Sequence, residues 1–312
     1  MILYLRTKAT HALAAMLMTV ALAVFSMPKF GEARETYDQK KNFEISASAI
    51  HQFDADLDGG GDFNVNRYFF QLDWTKRVSD TLRTGVGFHY DFHDYSFSEY
   101  ATSRPLTTLD HLQSLGLGTS IIYTINQDWR LIVIPSIEAS AESNADLEDS
   151  LIYGSIVSAG YRVTPTLLIG TGIGIFNRLE EVSYFPLVFI DWRITEQLRL
   201  SNPFQGGPSG PAGLELSYVL DESLELACGG AYRSFRFRLD DEGPASDGVF
   251  QEKTVPVWGR VTVKPGSNIK IDANAGAFLS GRFTIEDRNG HEISEEQYDA
   301  APFLALTVSL MF

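Results

Sequence analysis

"FLALTVSLMF", residues 303–312, closes the chain on an apolar alternation with no polar tail. Taking every second residue puts Leu304, Leu306, Val308, Leu310 and Phe312 on one face and Phe303, Ala305, Thr307, Ser309 and Met311 on the other. That period of two is a strand's. Chain ends ordinarily fray into water, so an apolar terminus implies a surface that is buried or faces lipid. The run is also long enough for a tilted strand to cross a bilayer, which takes about nine to eleven residues.

The other end of the chain predicts the compartment. Arg6 and Lys8 precede a short apolar stretch from Ala12 to Phe25, and Ala23 or Ala33 offers a small residue for cleavage. Residues 1–33 therefore read as a secretory signal peptide, 34–41 as a short periplasmic segment and 42–312 as the folded body. No other stretch of about 18 apolar residues follows, so a spanning helix is not expected. Cys228 is the only cysteine, which excludes an internal disulfide, and no cysteine near the cleavage region offers a lipid attachment point.

Composition does not decide between a soluble and a membrane protein. The chain is 44% hydrophobic with a formal charge of −15, and a spanning barrel has this same moderate average because each strand alternates a lipid face with a lumen face. The pattern along the chain decides. Six places repeat one grammar of apolar residue, short polar turn and new alternating run: "VSDTLRTGVG" from Val78, "INQDWRLIVI" from Ile125, "VTPTLLIGTG" from Val163, "ITEQLRLSN" from Ile194, "LDESLELACG" from Leu220 and "VKPGSNIKIDA" from Val263. These are hairpin signals. The connections between them are longer, polar and mostly acidic, and short turns at one end with long loops at the other is the asymmetry of an outer-membrane barrel.

The predicted strands are 42–53, 64–77, 80–93, 109–125, 128–141, 151–163, 166–177, 184–194, 197–203, 212–220, 223–238, 253–264, 268–283 and 301–312. The fold class expected is all-β, an antiparallel transmembrane barrel of about fourteen strands; the ninth run is the weakest, with twelve strands as the fallback. Even parity puts both ends of the body on the short-turn side. Leu82, Thr84, Val86, Phe88, Tyr90 and Phe92 then face lipid, against Arg83, Gly85, Gly87, His89 and Asp91 inside. Trp74, Tyr123, Trp129, Tyr161, Trp192 and Tyr218 gather on the outward face near the short turns as an aromatic girdle. One strand breaks parity: Leu224, Leu226 and Cys228 point outward, as do Phe235, Phe237 and Leu239 farther on. A β-bulge is therefore expected at "CGGAY", 228–232, with Arg236 and Arg238 turned to the lumen.

Signal peptide, hairpin grammar, girdle and a last strand ending in phenylalanine together resemble Gram-negative outer-membrane β-barrel proteins. More narrowly, "GPAGLELSYVLDESLELACGGAYRSFRFRL" (210–239) with "APFLALTVSLMF" (301–312) is similar to an uncharacterised family of outer-membrane β-barrels of unknown function. The resemblance implies a location in the outer membrane among lipid and lipopolysaccharide. It also implies that the terminal pattern through Phe312 is an assembly signal for the barrel-assembly machinery. It implies no substrate.

Three constellations bear on chemistry. "DADLDGGGD", with Asp54, Asp56, Asp58 and Asp62, opens like a calcium loop, but position twelve is Val65 and the flanks are not helical, so a weak loop-bound cation such as calcium competes with a plain hairpin turn. No other cofactor is expected. "HYDFHD" puts His89, Asp91 and His93 on one lumen face as a candidate metal or acid–base rim, with a hydrogen-bonded network as the alternative. Last, Arg77, Arg83, Arg130, Arg162, Arg193, Arg199, Arg260 and Lys270 all map to the lumen near the short turns, with Asp73, Asp191 and Glu225 as acidic neighbours. Such a ring selects anions if it lines a passage and stiffens the wall if it is paired. The acidic loops disfavour nucleic acid. The loop "NPFQGGPSGPAG", 202–213, is uncharged and is either an inward constriction or a connection. The reading that follows is a passive porin-like channel for small polar or anionic solutes and not an enzyme; the alternatives are an enzyme built on the His/Asp rim and a closed structural or adhesive barrel.

Overall fold

A computed structural model describes residues 42–98, 106, 109, 111–203, 208, 212–242 and 244–312; the predicted signal peptide and most of the 202–213 loop lie outside the described residues. The chain forms sixteen strands: β1 (Phe43–Asp56), β2 (Asp62–Arg77), β3 (Leu82–Phe97), β4 (His111–Thr124), β5 (Trp129–Glu142), β6 (Leu151–Thr164), β7 (Leu167–Arg178), β8 (Glu181–Arg193), β9 (Leu198–Ser201), β10 (Gly213–Val219), β11 (Leu224–Ala231), β12 (Arg233–Arg238), β13 (Val249–Gly266), β14 (Ile269–Glu286), β15 (Glu292–Tyr298) and β16 (Ala301–Met311). They make one closed antiparallel barrel. Its wall has fourteen strands, because β11 with β12 and β15 with β16 are each one wall strand interrupted once.

Closure depends on the terminal alternation. β16 pairs with β14 on one side and with β1 on the other, from Glu44↔Met311 to Gln52↔Phe303, so neither end of the sheet is left as an edge. The last residue seals the seam: Asn42 N donates to Phe312 O at 2.8 Å, Phe312 N donates to Phe43 O at 2.8 Å, and the Phe43 and Phe312 rings lie 6.3 Å apart. Leu304, Leu306 and Phe312 stay exposed on the outside. All six girdle aromatics are exposed as well, from Trp74 to Tyr218. The six short turns are present, and polar side chains build them. In the 220–223 turn, Asp221 Oδ1 accepts from Ser223 Oγ at 2.7 Å and from the N–H groups of Ser223 and Leu224, which holds the carboxyl below its ordinary range.

The other end departs from expectation. Residues 292–298, read from sequence as loop, form β15; β8 and β13 begin earlier than predicted, at Glu181 and Val249; and β7 and β8 are joined by only two residues. The bulge is also elsewhere. Register is unbroken from Leu224↔Val263 through Arg238↔Val249, so "CGGAY" carries no inserted residue. Inserted residues sit in β14, where pairing shifts between Lys253↔Arg282 and Val255↔Leu279 and Ser280 takes a positive φ of 51°, and in β1 between Gln52 and Ala55. With parity kept along β11 and β12, Phe235 and Phe237 face inward, and the expectation that they meet lipid is corrected.

They reach a core that lies inside the barrel. Leaving β11, strand β12 crosses the lumen and bridges to β5 at Arg238↔Ala141, bypassing β6 to β10. Leu57 bridges to Tyr298, so at the loop end a smaller circuit of β1 to β5 and β12 to β15 closes within the larger barrel. Its interior is packed with Phe63, Tyr95, Phe237, Phe250, Phe283 and Tyr298, with Leu106 of the β3–β4 connection tucked in. At its centre Arg67, fully buried, donates from Nη2 to both oxygens of Glu252 at 2.9 Å and from Nη1 to Gln52 at 2.7 Å. Tyr95 and Tyr298 also donate to Glu252, and the Phe278 ring centre lies 4.9 Å from the guanidinium. On the far face of β12, Arg236 pairs with Glu286 at 2.6 Å and Arg238 with Glu180 at 2.5 Å.

Two outcomes are expected. Deleting Phe312 removes the seam contacts, and changing it to Asp removes the ring contact with Phe43 and places a charge on the outer face; either change lowers the yield of heat-modifiable, membrane-inserted protein, and unchanged yield would refute the role of the terminus. Glu252→Ala strands the Arg67 charge among aromatic rings at a cost of about 3–5 kcal/mol. The 232–248 segment should then become protease-sensitive while the barrel keeps its heat-modifiable migration.

Candidate functional site: the lumen

Between the packed plug and the short turns, the fourteen-stranded lumen holds the predicted arginine and lysine ring, whose members fall into three groups. Arg260 is the hub of the first. It pairs with Glu215 at 2.5 Å, Glu225 at 3.0 Å and Asp272 at 3.1 Å; Lys264 joins Glu225 at 3.2 Å and Lys270 joins Asp272 at 3.0 Å. Trp258, an inward tryptophan, donates to Glu215 at 2.9 Å. Arg260 and Lys270 are therefore paired with carboxylates of the wall. Glu215 was missed in sequence, although its inward parity beside Ser217 could have revealed it.

The second group sits at the rim. Arg199 and Asp191 form a two-pronged pair at 2.8 and 2.9 Å, and Arg77 binds Asp80 of its own turn at 3.0 Å. Both pairs are exposed, where such bridges contribute little to stability. The third group is the remainder of the ring: Arg83, Arg130, Arg162 and Arg193. Arg83 pairs across strands with Ile122, Arg130 with Thr124 and Gly160, and Arg162 with Leu168. Arg162 Nε is buried without a hydrogen-bond partner among the described residues.

The His/Asp rim divides. His89, Asp91 and His93 share the inner face of β3 as predicted, with opposite partners Gly116, Ser114 and Leu112. His89 Nε2 lies 2.9 Å from Glu138 of β5, a contact made possible because Gly116 between them has no side chain; a Cβ there would lie 2.2 Å from the imidazole. His93 belongs instead to the plug. It is fully buried between Phe235 at 4.7 Å, Phe237 at 5.2 Å and Phe69 at 5.7 Å. Among the described residues no group of three or more His, Cys, Asp or Glu side chains converges to hold a metal. The same applies to the aspartate loop. Leu57 and Gly61 close a tight turn there, Asp54 accepts from Asn64 at 2.8 Å, and the loop is tied to β15 through Asp58 N to Gln297 O at 3.0 Å and Gly59 N to Glu296. Its geometry is that of a hairpin turn.

The inner wall also has a feature that strand parity alone did not predict. On β5 to β8 the inward positions include Ile132, Ile134, Ile156, Leu168, Phe185, Leu187 and Phe189, all on the lumen side by register. Phe185 and Phe189 lie flat on glycines: a Cβ at Gly174 would sit 2.2 Å from Phe185 Cζ, and one at Gly170 2.0 Å from Phe189 Cζ. Unbroken apolar runs such as Leu131–Ile134 and Leu187–Ile190, in which alternation is lost, were the available sequence signal.

Among solved structures the chain is similar to an outer membrane channel from Pseudomonas putida F1, with 12% identity over 92% of this chain and 99% of that one and a TM-score of 0.49. It is similar to a Pseudomonas aeruginosa FadL homologue, with 12% identity, 87% and 90% coverage and a TM-score of 0.44. It is also similar to the translocator domain of the autotransporter NalP from Neisseria meningitidis, with 11% identity, 98% coverage of both chains and a TM-score of 0.39. The likeness extends to the barrel fold alone. No curated protein matches the chain. The family described as "Domain of unknown function (DUF6268)" matches residues 70–311, most of the barrel, and this chain belongs to that family.

Proposed function

We propose that the protein is an outer-membrane channel for small anionic or polar solutes, held closed at its loop end by the β12–β13 plug. The supporting observation is the contrast along the lumen axis. At the plug, inward residues from strands all around the smaller circuit are fully buried, including Gln52, Arg67, His93, Leu112, Phe250 and Phe283. Below it the wall widens to fourteen strands, and Arg83 and Arg193 are solvent-exposed at inward positions. A vestibule with fixed positive charge and low-dielectric walls concentrates anions. In this reading the leader exports the chain, the assembly machinery inserts it, the short turns face the periplasm and the acidic hairpins face outward among lipopolysaccharide.

The closed structural barrel is the second reading, and the packed plug favours it until opening is observed. Planar bilayers separate the two. Wild-type protein is expected to open seldom, and Glu252→Ala, by loosening the plug, to open more often. Reversal potentials in a salt gradient should show anion preference, fading as salt shortens the Debye length from about 10 Å at 0.1 M. Arg83→Glu with Arg162→Glu should shift selectivity toward cations. Absence of conductance from both wild type and Glu252→Ala would leave the structural barrel. Cation preference unchanged by the double substitution would exclude the arginines from the path.

A further inference from the structure

The lumen wall below the plug is two-sided. On β1, β2, β14 and β16 the inward positions carry Ser46, Ser48, Gln71, Asp272, Thr307 and Ser309, a polar surface of the kind a water-filled barrel presents. Across from it, β5 to β8 present rows that register defines. One row runs Ile134, Ile156, Gly174, Phe185; the next toward the short turns runs Ile132, Ser158, Gly172, Leu187; the third runs Arg130, Gly160, Gly170, Phe189, with Arg162 one step below. Phe185 is 39% exposed although it faces inward, and Ile134, Ile156 and Leu187 are half-buried. Apolar surface is therefore open to the lumen in a contiguous strip that ends in two arginines.

We infer that this strip is a binding site for a small amphipathic monoanion: an apolar or aromatic body laid against Phe185, Leu187, Ile134 and Ile156, with a carboxylate-sized head on Arg130 and Arg162. The inference rests on the channel reading for the route by which such a molecule arrives. The ligand class follows from three features. A wholly apolar molecule would leave the charge of Arg162 unanswered: its side chain is half-buried on the lumen side, its Nε has no hydrogen-bond partner among the described residues, and a carboxylate against the guanidinium supplies the counter-charge. A small inorganic anion would leave the apolar rows wet. The dimensions fix the size: the Arg130 row lies about 7 Å from the Leu187 row and about 14 Å from the Phe185 row, at about 3.4 Å per residue, with Arg162 one row farther and its long side chain spanning part of that distance. That span fits a carboxylate carrying an aromatic ring on a short chain, and the flat-lying Phe185 and Phe189 rings leave room for it because glycines stand behind them.

The test is equilibrium dialysis of radiolabelled 4-phenylbutyrate against the full barrel in lipid nanodiscs, with binding to empty nanodiscs subtracted. Saturable binding is expected, with 4-phenylbutanol, which lacks the charge, and acetate, which lacks the body, both competing poorly. Arg162→Gln and Leu187→Ser should each weaken binding by about tenfold, the scale of one charge-assisted hydrogen bond or one apolar contact patch. Arg282→Gln, at the far end of β14, should leave it unchanged. Heat-modifiable migration establishes that each variant is folded. Absence of saturable binding to folded wild type, equal competition by 4-phenylbutanol, or unchanged affinity in both Arg162→Gln and Leu187→Ser would overturn the inference. The assay needs no transport, so saturable binding without bilayer conductance removes only the channel reading, and conductance without binding removes only this site.

Discussion

The buried ion pair between Arg67 and Glu252 is the constraint around which the loop end of this barrel is organised. Two unit charges removed from water carry a desolvation penalty of several kcal/mol each, offset only where close geometry is joined by further hydrogen bonds. Glu252 accepts from Arg67, Tyr95 and Tyr298, and Arg67 donates also to Gln52. Those partners come from β1, β2, β3, β13 and β15, so the pair ties together most of the smaller circuit. For Glu252 to reach Arg67, β13 must extend well beyond Val255, and β12 is carried with it across the lumen. The Ser280 insertion in β14 makes this compatible with the wall, since it lets Phe278 below and Phe283 above both face inward.

The same economy governs the acidic residues. Glu142, Glu180, Glu286 and Glu296, which fall between the strands predicted from the sequence, lie in or beside the plug as acceptors. Glu142 receives the Asp240 N–H, Glu180 and Glu286 pair with arginines of β12, and Glu296 receives the Gly59 N–H. A strongly negative chain thereby uses carboxylates to neutralise arginines that its own lumen core has buried. What remains exposed is turn chemistry, as at Asp287, whose carboxyl is pulled down to about 2 chiefly by the His291 backbone N–H.

The lumen is consequently divided in two ways. Along its axis a packed aromatic plug gives way to a wider chamber, and around its circumference a polar arc with the Arg260 cluster faces an apolar arc on β5 to β8. Rigidity on the polar side comes from linked ion pairs; on the apolar side it comes from aromatic rings lying against glycine-bearing strands.

How much of this could be read in the sequence depends on whether the signal is local. The closing alternation at 303–312, the six short turns and the outward aromatics are properties of single strands and hairpins, where a period of two ties each residue to a face, and the barrel, its strand number and its girdle follow from them. The inward placement of the ring arginines follows from the same parity. Which of them are paired does not, because Arg260 meets Glu215 and Arg67 meets Glu252 across 45 and 185 residues of chain. The parity conflict in 224–239 was read as an inserted residue, but register there is unbroken and the conflict has another cause: Phe235 and Phe237 are apolar because β12 runs into a packed core inside the lumen, and the insertion in β14 belongs to a different pair of strands. The inward path of β12, the plug that it completes and the separation of His93 from His89 were decided by tertiary structure alone. They rest on aromatic packing among residues from six different strands, and no single segment carries a record of where its partners will be.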